Sequence, residues 1–92
     1  MTDRLTLTEY GIPVSLRPFF QEYQLEDLDP ERDNATIIER TLRYGNRAEL
    51  RWLFNHYPES VIADWVRRWG EHALPARHLS FWRLLLHVDS PE

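Results

Sequence analysis

Two apolar stripes of the same spacing, set on either side of a proline, constrain this chain more than any other feature. Leu50, Leu53, Phe54 and Tyr57 fall at i, i+3, i+4 and i+7, and Ile62, Trp65, Val66 and Trp69 repeat the pattern after Pro58. At 3.6 residues per turn each set lies along one side of an α-helix and points to a core. Pro58 interrupts the hydrogen-bond ladder, so the pattern predicts two short helices rather than one long one. The second is expected to end at Gly70.

The flanking segments carry their own start and stop signals. Asp29 reads as a cap, Pro30 as the first helical residue, and Glu31 and Asp33 face the positive end of the dipole. That predicts a helix from Pro30 to about Tyr44, with Arg40 and Arg43 near its C-terminal end and a left-handed Gly45 closing it. Asn46 is then placed to cap the following helix. Upstream, Ser15 reads as the cap of a short helix through Phe19, Phe20 and Tyr23, with Pro18 tolerated in the first turn. Downstream, Ala73, Leu74 and Pro75 form a hinge, after which His78 to Val88 is apolar nearly all round, as in a helix contacted on two sides. Residues 1–14 mix threonine with Leu5, Leu7 and Ile12 around Gly11 and Pro13, which fits an extended arm with at most a short strand. The expected architecture is all-α: a small bundle of four to five short helices in one domain, residues 15–92, behind an extended N-terminal arm, residues 1–14.

Ninety-two residues, 42% of them hydrophobic, are enough for one core. The absence of cysteine excludes disulfides, thiolate metal sites and a cysteine nucleophile, and fits a reducing cytoplasm. The first ten residues lack the apolar stretch of a secretory signal. Apolar runs such as Leu84 to Leu86 are far below the roughly 20 residues of a membrane span. Charge is unevenly placed. Residues 1–39 hold three arginines against nine carboxylates, a balance of −6, and residues 40–92 hold eight arginines against six, a balance of +2.

No pattern in the chain supplies catalytic chemistry, a cofactor site or a metal site. Asp27, Asp29, Glu31 and Asp33 alternate like the first ligands of a calcium loop, but Arg32 stands where the sixth position needs glycine and Ile38 where the twelfth needs glutamate. His56, His72, His78 and His87 match neither the paired histidines of a helical zinc site nor those of a zinc finger. Neither a serine-nucleophile elbow nor a glycine-rich phosphate loop is present. The helix–Pro58–helix unit resembles a helix-turn-helix, which makes a DNA-binding regulator the alternative function. Its second helix carries Glu59 and Asp64 early and basic groups only at Arg67 and Arg68, a poor set for reading base edges. Protein binding fits better. Trp52 beside Arg51 and Arg47 combines the residue types enriched at binding hot spots, away from the main stripe of its helix.

The segments LDPERDNATIIERTLRYGNRAELRWLF, residues 28–54, and LSFWRLLL, residues 79–86, resemble a family of small bacterial and archaeal proteins of unknown function. In that family a helix ending in a Tyr-Gly turn leads to a Trp-Leu-Phe helix, and a Phe-Trp pair opens a final leucine-rich helix. Its Ser-Pro start to that last helix is replaced here by LPARHLSFW. Members are often encoded beside AbiEii-type nucleotidyltransferase toxins, so the resemblance implies a non-enzymatic antitoxin that binds and neutralises such an enzyme. Enzymes that handle nucleotide phosphates present basic clefts, and Glu26, Asp27, Asp29, Glu31 and Asp33 offer the complementary charge.

Overall fold

The computed structural model describes residues 5–88. Residues 1–4 of the expected arm and 89–92 of the expected helical domain lie outside the described residues. The architecture is all-α. Four helices follow in order, α1 (Asn34–Tyr44), α2 (Arg47–His56), α3 (Glu59–Ala73) and α4 (Ala76–Leu86), preceded by two 3-10 helices at Val14–Phe19 and Leu25–Asp27. Contacts within the chain cluster into two compact units, Met1–Leu53 and Phe54–Glu92. No described helix is long and apolar enough to cross a membrane.

In the first unit the arm doubles back on itself. Extended pairing among the described residues is confined to the bridge between Leu7 and Pro13. Between them the chain reverses through Gly11 at φ 89°, with Gly11 N–H donating to Thr8 O at 2.9 Å and Thr8 N–H to Ile12 O at 2.8 Å. Ile12 is fully buried and anchors the turn. The 3-10 helix that follows starts after Pro13 and not from a Ser15 cap; the Ser15 hydroxyl donates instead to the carboxylate of Glu49. Leu16, Phe20, Leu25 and Leu28 are buried from this segment, and Ile37, Ile38 and Leu42 from α1.

Regular α1 begins at Asn34, four residues later than Pro30, because the intervening turn closes on itself. Asp29 Oδ1 accepts from Glu31 N–H at 2.8 Å and Arg32 N–H at 3.2 Å, while Asp33 Oδ2 accepts from Asp29 N–H at 3.0 Å. The expected cap is therefore present, but it caps a separate turn. At the other end Gly45 is extended, at φ −67° and ψ 146°, and not left-handed. A glycine is still required there, since a Cβ would stand 2.5 Å from Thr41 O. Asn46 caps α2 through a reciprocal pair: Asn46 Oδ1 accepts from Glu49 N–H and Glu49 Oε1 from Asn46 N–H, each at 2.8 Å.

In the second unit α3 does not stop at Gly70 but runs through it to Ala73. Gly70 is buried against α4, and a Cβ on it would meet Leu79 Cδ1 at 2.7 Å. Ile62, Trp65 and Val66 are buried as the stripe predicts, whereas Trp69 is 53% exposed. Trp69 shares the angular position of Ile62 but stands about two turns further along α3. α4 starts after Pro75 with no side-chain cap and buries Leu79, Trp82 and Leu86. Phe54 stacks on Trp82 with centroids 5.7 Å apart. The helix closes with His87 in the left-handed region, at φ 58° and ψ 41°, and Val88 N–H donating to Arg83 O at 2.9 Å.

Candidate functional site

The residues singled out from the sequence do not converge on one site. Arg47 and Arg51 stand one turn apart on α2, and both are exposed. Trp52 lies about 100° further round the helix and is half-buried, so the trio does not form one open patch. The acidic set is largely engaged in local structure. The Arg17 guanidinium pairs with both oxygens of Glu26 and holds its carboxyl down at about 2. Asp29 caps its turn, and Asp33 accepts from Arg32 and from Asp29 N–H, which lowers its pKa below the ordinary carboxylate value. Only the side chains of Asp27 and Glu31, among these five, make no hydrogen bond or ion pair among the described residues.

The arginines of α3 are similarly engaged. Asp64 Oδ1 stands 3.5 Å from Arg67 and its Oδ2 3.2 Å from Arg68. Among the described residues no three His, Asp or Glu side chains converge so as to hold a metal ion.

Two features of the surface were not legible in the residue pattern. One is a groove of about 420 Å³ in the first unit, lined by Pro18, Phe19, Glu39, Arg40, Arg43 and Tyr44 among others. Phe19 and Tyr44 stack there at 5.3 Å. Arg40, read from the sequence as a complement to the end of α1, reaches back instead. It donates to Phe19 O at 2.6 Å, pairs with Glu22 and lies over the Phe20 ring at 5.5 Å.

The other is the outer side of α4. The sequence pointed to a helix covered on two sides, but Phe81, Leu84 and Leu85 are 55%, 79% and 54% exposed. With Arg77 they fall at i, i+4, i+7 and i+8, one continuous stripe opposite the buried Leu79, Trp82 and Leu86. In the first unit the large exposed side chains are mostly tyrosines, which keep a hydroxyl in water. Here they are hydrocarbons alone. The signal in the sequence was the number of apolar residues between Leu79 and Val88, more than one side of a single helix buries.

No curated protein and no solved structure matches the chain. Residues 15–66 match the model of a family of unknown function, DUF6922, a stretch that runs from the 3-10 helix at Val14–Phe19 into the first half of α3. The chain belongs to that family.

Proposed function

We propose that this chain is a non-enzymatic protein-binding module, an antitoxin that binds and neutralises a nucleotidyltransferase-type toxin. The observation that carries the protein-binding part is the exposed row of Phe81, Leu84 and Leu85 on α4. Burying one such side chain is worth about 1.5–3 kcal/mol, and three on one face of a small domain mark a surface that a partner covers. The choice of partner rests on the resemblance of residues 28–54 and 79–86 to proteins encoded beside such enzymes. The helix-turn-helix reading has less support, because Arg67 and Arg68 on α3 are both paired with Asp64 and would have to be released to meet phosphates.

The test is co-purification of the tagged chain from its native cells, with the bound material identified by mass spectrometry. A stoichiometric nucleotidyltransferase whose activity falls as the chain is added supports the reading. Recovery of the chain alone overturns it, and a salt-dependent gel shift with its upstream DNA would favour the regulator.

A further inference from the structure

We propose that the outer face of α4 docks a single amphipathic helix of the partner protein, one with a leucine-type apolar stripe bordered by carboxylates. This rests on the protein-binding reading above and names the chemistry of the element that would be recognised. The face is ridge-shaped: Phe81, Leu84 and Leu85 project from successive turns of α4, and such a ridge fits the groove between side chains of another helix. From Arg77 to Leu85 it spans about 12 Å, two turns of a partner helix.

Charge selects the partner. The sequence of α4, ARHLSFWRLLL, contains no carboxylate. Arg83 lies on the far side, 3.6 Å from Glu71 of α3, so that carboxylate is drawn away from the open stripe. Arg77, on the stripe, is exposed and has no ion-pair partner among the described residues; His87, at the other end, is exposed as well and likewise has none. An apolar ridge with a cation at one end and an imidazole at the other accepts an acidic helix and repels a basic one.

Two other occupants fit less well. A lipid surface is held by helices with several Lys or Arg on the polar side, whereas this chain has net charge −4 and one arginine on the stripe. A second copy would set cationic α4 against cationic α4, and two turns of helix bury far less than the roughly 1,200 Å² of a stable dimer.

The experiment titrates the full-length, isotope-labelled chain with two synthetic helical peptides that share one leucine stripe, bordered by glutamates in one and lysines in the other. Binding is followed by amide chemical shifts. The glutamate peptide is expected to bind roughly tenfold more tightly and to shift Phe81, Leu84 and Leu85. Arg77→Glu should reverse the preference. Leu84→Asp should abolish binding with the melting temperature unchanged, since Leu84 is 79% exposed. Equal affinity for the two peptides overturns the inference. So does binding only to phosphatidylserine vesicles, or self-association that Leu84→Asp removes. If the Leu84→Asp chain still captures a nucleotidyltransferase, this docking mode falls while the proposed function stands; if the glutamate peptide binds but no nucleotidyltransferase is recovered, the reverse holds.

Discussion

The Ser15 hydroxyl donates to Glu49 across 34 residues of sequence, and through that one bond the start of the first 3-10 helix is tied to the cap of α2. The other oxygen of Glu49 accepts from Asn46 N–H, so a side chain only 2% exposed has both oxygens engaged. Replacing it with alanine leaves two donors without their acceptor. Glu49→Ala is expected to lower stability by about 2–3 kcal/mol, and Glu49→Gln, which keeps one acceptor oxygen, by about 1 kcal/mol. Urea denaturation of the two variants checks the order; equal losses would mean that only the intact carboxylate serves both donors and that the one acceptor oxygen left in glutamine keeps nothing.

Gly70 sets opposing effects against each other. Alanine in mid-helix normally gains about 1 kcal/mol over glycine, but here the new methyl would press on Leu79 at 2.7 Å. Leu79 is buried, so the overpacking outweighs the helix propensity, and Gly70→Ala is expected to lose about 1 kcal/mol. In a Leu79→Ala background the obstruction is gone and the same substitution should become stabilising by about 0.5–1 kcal/mol. A double-mutant cycle read by thermal melts measures the change of sign.

His87 holds a left-handed backbone conformation that few L-residues take, although His, like Asn and Asp, takes it more readily than most. His87→Gly should raise stability by about 1 kcal/mol, and His87→Val should lower it, with the bonds that close α4 intact in the first and strained in the second. Calorimetry of the two variants decides.

Acid should weaken the fold in a defined window. Arg17 holds the Glu26 carboxyl at about 2 instead of 4.5, and Arg40 and Arg32 lower Glu22 and Asp33. A carboxylate with a lower pKa when folded contributes stability above its unfolded pKa and loses it as pH falls through the folded one. The midpoint of urea denaturation is therefore expected to fall between about pH 4.5 and about 2. Each pair has at least one partner about half exposed or more, so the effect is small, and added salt or Glu26→Gln should flatten it. A midpoint insensitive to both would remove these pairs from the acid response.

Much of the helical layout follows from local rules, and the departures have physical causes outside them. The Asn46 cap, the break at Pro58 and the buried Ile62, Trp65 and Val66 depend on residues within a few positions of one another. The late start of α1 depends on Asp33 reaching back to Asp29 N–H, a competing closure of the same residues. Gly70 reads as a stop when taken alone and as a contact point once Leu79 is present. Arg40 and Glu49 form their bonds 21 and 34 residues away, where no periodicity points. For the surface, Trp52 follows Arg51 in sequence but is divided from it and from Arg47 by helical rotation, whereas Arg77, Phe81, Leu84 and Leu85 are spread through a run that reads as uniformly greasy.

The stretch from Val14 to Leu28 has only short 3-10 turns and no α-helix, and two of its polar anchors, Arg40 and Glu49, arrive late on the chain. Closing loops of that length carries an entropic cost that only a preformed α1 and α2 repay. The beginning of the chain thus waits for its middle: this stretch should be the last of the first unit to order during refolding, and its amides should exchange with solvent sooner than those of α1.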